Sequence, residues 1–216
     1  MRQRGGGVPP GARVLDAGVF TTIQDRGRYG FAHLAVSPSG AADRSALDLA
    51  NRLVGNRSGA AGLEIVLGGL MLEFDTAGVV AAAGAETTIQ VEGSRGIRTR
   101  APVGRAVVVA AGERLRVTTA HTGFRCYLAC RGGLAPVRVL GSASTDTLSG
   151  LGPPPLAVGD QLSFGEAVER LPAPDQVPTV PVDPEPTLDL VAGPRLGWIT
   201  NAARRALGSE PFVVSD

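Results

Sequence analysis

The sequence predicts a mainly β protein, a barrel or sandwich of many short strands with few helices. Three observations carry this. Apolar runs of four to six residues, rich in Val, Leu and Ile, recur along the chain and are separated by glycine steps. Thr87-Thr88-Ile89-Gln90-Val91 and Arg114-Leu115-Arg116-Val117 alternate polar with apolar residues, as half-buried strands do. The 216 residues include 30 Gly and 16 Pro but only 4% aromatics, a composition suited to many turns.

In chain order, strands are expected at 14–17, 63–67, 70–74, 79–83, 87–91, 107–110, 114–118, 125–130 and 161–164. One clear helix interrupts them. Ser39 is placed to cap it, Asp43 suits its first turns, and Gly55-Asn56 stops it. Ala46, Leu49, Ala50 and Leu53 give it one apolar face, with Asn51 opposite most of that stripe. A second helix is expected at 199–207. Residues 1–12 lack an apolar core and read as a flexible lead-in, so residues 13–170 form the first domain. Six prolines between 171 and 186 exclude a helix or an inner strand and mark a linker. Residues 187–216 follow, too few for a domain of their own.

Composition narrows the function. The net charge is +1 without long runs of one sign, which argues against a nucleic-acid or membrane-surface protein. The longest apolar stretch, 79–84, is too short to span a bilayer, and the expected location is the cytoplasm. Cys126 and Cys130 lie four strand steps apart, roughly 13 Å, too far for a disulfide or a shared metal. His33 and His121 stand alone, so no metal site is expected. All 21 basic residues are arginine. That excludes a lysine nucleophile, a P-loop lysine and a biotinyl-lysine within this sequence.

Three polar constellations remain. Thr21-Thr22-Ile23-Gln24-Asp25-Arg26-Gly27-Arg28 reads as a loop that sets an amide and a carboxylate beside two guanidiniums, able to bind a carboxylate or phosphate. Its plainer reading is an internal ion pair of Asp25 with an arginine. Ser39, Asp43, Asn51, Asn56 and Glu64 form the second group. Glu64, inside an apolar strand, needs a partner if half buried. The third is Arg131-Gly132-Gly133 with Gly141-Ser142-Ala143-Ser144-Thr145-Asp146. It is either a plain turn or a loop whose backbone N–H groups meet an oxyanion.

Taken in order, these blocks resemble one family. They are joined by Val14-Leu15-Asp16-Ala17-Gly18, Ala50-Asn51-Arg52-Leu53-Val54-Gly55-Asn56, Tyr127-Leu128-Ala129-Cys130-Arg131 and Gly159-Asp160-Gln161-Leu162. The family is that of biotin-dependent carboxyltransferases, also called allophanate hydrolase subunit 2 or KipA-like. It includes the C-type subunit of bacterial ATP-dependent 5-oxoprolinase. The resemblance implies a cyclophilin-like β-barrel, with residues 187–216 the start of a second, incomplete unit. It implies a KipI-like partner subunit and, further, a LamB/YcsF-like one. ATP would enter through the complex, and biotin only on a partner protein. The sequence ends at Asp216 where the family continues, and it has Gly152-Pro153-Pro154-Pro155 where relatives carry a longer glycine-rich loop. The activity so implied is opening of 5-oxoproline to glutamate. Carboxyl transfer to urea or another amide is an alternative, and so is a non-enzymatic regulatory role. Asp25, Asp43 and Glu64 are the acid–base candidates. Gln24, Arg28, Ser39, Asn51, Arg131, Ser142, Ser144 and Asp146 are the candidates for binding substrate. Among these, Arg28 or Arg131 would hold a carboxylate, and the backbone near Ser142 would polarise a carbonyl.

Overall fold

The computed structural model describes residues 11–166, 170, 177, 187 and 189–213. They divide between two compact units, 1–182 and 183–216. The expected linker at 171–186 lies outside the described residues except for Val177, and so does most of the expected lead-in.

Among its described residues, the first unit has eleven strands and one α-helix. In order these are β1 (Gly11–Ala17), β2 (Phe20–Gln24), α1 (Arg44–Leu53), β3 (Gly62–Val66), β4 (Leu70–Phe74) and β5 (Gly78–Glu86). Then come β6 (Thr88–Gly93), β7 (Gly96–Pro102), β8 (Ala106–Val109), β9 (Arg114–Val117), β10 (Thr122–Cys130) and β11 (Gln161–Ser163). They form two antiparallel sheets, ordered β11-β1-β4-β9-β6-β7 and β2-β3-β10-β5-β8. The mainly β reading therefore holds. The second unit contains a 3₁₀ turn at Leu196–Trp198 and α2 (Asn201–Ser209), whose N-cap Thr200 accepts a hydrogen bond from Ala203 N. This helix runs two residues later than the sequence suggested.

One core fills the space between the sheets. Val14, Leu72, Phe74, Leu115 and Ile89 come from the six-stranded sheet, and Ile23, Leu63, Ile65, Leu128 and Val80 from the other. The five-stranded sheet is buried on its second face too, because α1 packs there. Ala46, Leu47, Ala50 and Leu53 of α1 meet Ala81, Ala83, Tyr127 and Ala129. Burial on both faces explains why β5 and β10 read as continuous apolar runs rather than alternating ones. Small residues let the helix approach. A Cβ on Gly62 would lie 2.9 Å from both Leu47 Cδ1 and Leu128 O. Gly62→Ala is therefore expected to lift α1 and to cost about 1–3 kcal/mol in a urea melt.

Four local expectations need correction. β1 begins at Gly11, inside the stretch read as a lead-in. Thr21–Gln24 is strand rather than loop: β2 pairs with β3, Thr22 opposite Glu64 and Gln24 opposite Gly62. β7 was not expected either. It is an edge strand, largely exposed, so no apolar pattern marks it. Finally, α1 starts at Arg44 and its N-cap is Asp43, whose carboxylate accepts from Ala46 N at 2.9 Å. Ser39 cannot cap it, because Ser39 and Gly40 both take left-handed backbone (φ 53° and 95°) and reverse the chain before the helix.

The two cysteines are free and buried in β10. Burial pushes both thiols up to about 12. A thiol-reactive probe is expected to leave the native protein unlabelled and to modify both positions only after denaturation.

Candidate functional site

The site residues fall on the helix side of the five-stranded sheet and in the two loops that meet there. The first group centres on Asp25, which follows β2. Its carboxylate accepts from Gly27 N (2.8 Å), Ser142 Oγ (2.7 Å), Ser144 Oγ (2.6 Å), Ala143 N (2.7 Å) and Arg138 Nη1 (3.1 Å). The residue is only 3% exposed. Burial pushes the carboxyl up, but the hydroxyls of Ser144 and Ser142 and the N–H groups of Ala143 and Gly27 together hold it below its ordinary value. Asp25 is thus a fixed anion that ties the 25–40 loop to the 138–146 loop. Its arginine is Arg138, while Arg26 pairs with Asp48 at 2.6 Å. The ion pair anticipated within one pentapeptide is made across the fold instead.

Arg28 lies beside this knot with its side chain fully buried. Its Nη2 donates to Ser144 O, and its Nη1 stands 3.9 Å from Asp146 Oδ2. Ser39 Oγ and Gln24 Nε2 both donate to Thr145 O, at 2.9 and 3.1 Å. Asp146 accepts from Ser149 Oγ (2.7 Å) and Leu148 N (3.0 Å), and the Ser149 hydroxyl leads in holding its carboxyl below the ordinary range. The structure therefore brings Gln24, Asp25, Arg28, Ser39, Ser142, Ser144 and Asp146 into one locus.

A second cluster joins it through β2, where Gln24 Nε2 also donates to Thr22 Oγ1, the residue paired with Glu64. Glu64 accepts from Tyr127 Oη (2.8 Å), Arg125 Nε (3.1 Å) and Ala42 N (2.9 Å). Tyr127 Oη in turn accepts from Asp43 N at 2.8 Å, and burial raises its pKa so that it stays a donor. This cluster borders an open groove of about 680 Å³ between α1 and the ends of β5 and β10. Asp43, Arg52, Arg125 and Tyr127 line it over a floor of Ala83, Gly84 and Ala85.

Asn51 and Arg131 stand apart from both clusters. Asn51 is completely buried rather than opposite the apolar stripe, since the 56–60 loop covers that flank of α1. Its Nδ2 donates to Ala60 O and its Oδ1 accepts from Asn56 Nδ2, both at 2.9 Å. Asn56 goes on to Cys130 O and Gly132 N, and Arg131 Nη1 donates to Val54 O. These bonds clamp the end of α1 to the end of β10. Sequence reasoning passed over Tyr127 and Arg138. A phenol inside an apolar strand is a usable signal, because its buried O–H requires a partner. Arg138 carries no such signal.

Among the described residues, no group of three or more His, Cys, Asp or Glu could hold a metal ion, and no helix is long and apolar enough to cross a membrane.

A family model for the carboxyltransferase domain, subdomain A and B, matches residues 34–216. The chain is 39% identical over 158 residues to the C-type subunit of 5-oxoprolinase from Escherichia coli (strain K12), covering 72% of this chain and 49% of that protein. It is 32% identical over 202 residues to urea amidolyase of Lachancea kluyveri, covering 86% of this chain and 11% of that protein. A crystal structure of TTHA0988 superposes with a TM-score of 0.82 at 33% identity, over 94% of this chain and 40% of that one. The K. lactis urea amidolyase gives a TM-score of 0.68 at 34% identity, over 81% of this chain and 11% of that one. The chain spans about half the length of the 5-oxoprolinase protein it matches.

Proposed function

Because the chain belongs to the carboxyltransferase family of subdomains A and B, we propose that it acts as a C-type subunit of a 5-oxoprolinase. The observation that carries this reading is its 39% identity to a 5-oxoprolinase protein of that type, above the 32–36% to two urea amidolyases and a urea carboxylase, while a second 5-oxoprolinase protein of that type stands at 32%. In the reaction, water's oxygen joins the lactam carbonyl carbon, the C–N bond breaks, the nitrogen gains a proton, and glutamate results. The Glu64–Tyr127 pair beside the groove suits the proton transfers. Glu64 can take a proton from the attacking water, and the Tyr127 phenol holds that carboxylate in place. Glu64 accepts from three donors where Asp25 accepts from five, and it caps no helix as Asp43 does, so it is the acid–base group we favour. Arg125 and Arg52 at the rim supply positive charge for the substrate carboxylate.

We assign ATP to partner subunits, with KipI-like and LamB/YcsF-like proteins as our candidates, in the cytoplasm. Two features of this chain support that: it has no lysine to serve a P-loop, and the N-terminus of α1 is closed by the Asp43 carboxylate. The relatives named urea amidolyase favour a second reading, carboxyl transfer to an amide from biotin carried on another protein. For that reading the small-residue floor at Ala83–Ala85, next to Tyr127, suits a flat ureido ring, which would supply the carboxyl group.

Co-expression with both partner candidates tests the proposal. Glutamate release from 5-oxoproline, dependent on ATP and on all subunits, is expected. No turnover by the full set would end the first reading, and biotin-dependent carboxylation of urea would establish the second.

A further inference from the structure

Glu64 is the acid–base group favoured above, yet it stands behind the wall of the groove. Asp43, Arg52, Phe124, Arg125 and Tyr127 line that space, and Glu64 is not among the described residues that do. Its side chain is 12% exposed, and its two oxygens are held unequally. Oε2 accepts from the buried Tyr127 phenol and from Ala42 N, both fixed to the framework. Oε1 has one donor among the described residues, Arg125 Nε at 3.1 Å. The Arg125 side chain makes no other hydrogen bond there, so its two Nη groups are unengaged. Ion pairs of partly exposed arginines are weak. Arg125 is therefore the one cover over Glu64 that can leave without unmaking the fold.

The backbone is shaped to put Arg125 at this spot. β10 loses register against β5 between Thr122 and Cys126, so Gly123, Phe124 and Arg125 together oppose Ala85. Two left-handed glycines allow the strands to close around this bulge. A Cβ on Gly84 (φ 100°) would lie 2.6 Å from Arg125 O, and one on Gly123 (φ 84°) 3.0 Å from Ala85 Cα. Bulges bend a strand and re-aim its side chains. Here the bulge turns Phe124 and Arg125 to the groove. The guanidinium carbon lies 5.0 Å from the centre of the exposed Phe124 ring, which gives the cation a second resting place once it leaves Glu64. Arg52, in the last turn of α1, lines the same groove, and its side chain has no partner among the described residues.

Resting on the 5-oxoprolinase reading, we infer that Arg125 is a specificity residue that passes its guanidinium from Glu64 to the carboxylate of the substrate, so that a carboxylate-bearing lactam uncovers its own base. Arg125 and Arg52 then hold the substrate carboxylate, and Glu64 Oε1 opens to the attacking water. A neutral amide leaves Arg125 on Glu64 and the base covered.

Carbon-13 NMR of the full chain, with its glutamates labelled at Cδ, tests the exchange without requiring turnover. Glu64→Gln assigns the signal, and the probes are 5-oxoproline and 2-pyrrolidinone, which differ by the carboxylate. The Glu64 signal is expected to move with 5-oxoproline, to stay in place with 2-pyrrolidinone, and to ignore both in Arg125→Ala. An unmoved signal, an equal response to both probes, or a response that survives in R125A overturns the inference. Kinetics of the assembled complex supply the second measurement. R125A leaves the base uncovered but removes the carboxylate's partner, so the KM for 5-oxoproline should rise about tenfold while kcat changes by less than about twofold. A fall in kcat at unchanged KM would mean that Arg125 only positions Glu64. That result overturns the inference and leaves the 5-oxoprolinase reading standing. Absence of turnover by the full set bears on that reading alone, because the NMR outcome is read separately.

Discussion

Replacing Asp25 by alanine is expected to destabilise the first unit by about 3–5 kcal/mol, the cost of breaking a buried charged network from one side. The side chain collects five donors from two loops, and two serine hydroxyls, two backbone N–H groups and Arg138 would lose their acceptor together. The same group makes stability depend on pH in a defined direction. Its folded pKa lies below the ordinary 3.8, so its contribution is complete above that value. The contribution fades as the pH falls from there through the folded pKa. Acid titration followed by circular dichroism should therefore show Asp25→Asn already destabilised near neutral pH and less sensitive to acid than the parent. Equal stability of parent and variant at neutral pH would show that the network does not secure the loops.

The largest expected effect on activity is at Glu64. Glu64→Gln keeps an oxygen for Tyr127 Oη and Ala42 N but removes the base, so kcat in the assembled complex should fall by about 10²–10³-fold. The fold should barely respond. The ion pair lost is with Arg125, whose side chain is 41% exposed, and such partly exposed pairs contribute about 1 kcal/mol or less. Tyr127→Phe provides the companion measurement. It removes the donor to Glu64 and the acceptor for Asp43 N, and a smaller loss of kcat is expected. Full turnover by Glu64→Gln would move the acid–base role elsewhere.

Much of the fold was legible because core strands carry their own pattern: β6 and β9 alternate, and β5 and β10 carry apolar runs at 79–83 and 126–130. β2 escaped notice for a physical reason. Its helix-side residues, Thr22 and Gln24, are polar yet buried, and the Gln24 Nε2 group donates to Thr22 Oγ1 and to the backbone of a distant loop. Asn51 misled for the related reason that its amide is matched inside the protein. The site was legible only in part. Asp25, Ser142 and Ser144 were singled out individually, but no spacing rule joins residues 117 and 119 positions apart. Only the ordered resemblance to a family held them in one frame. The Glu64–Tyr127 pair depended on β3 and β10 lying side by side in one register, and local sequence does not reveal which strands pair.

The register that seats Gly11 of β1 opposite Ser163 of β11 also bears on how the chain reaches its native state. Loop-closure entropy must be met before such distant residues meet, so β-rich chains with these pairings fold in milliseconds to seconds rather than microseconds. On a ribosome adding about 5–20 residues per second, β1 waits roughly ten to thirty seconds for its second neighbour. During that interval the outer edge of β1 is an unpaired strand, and chaperones that shield such edges would find it there.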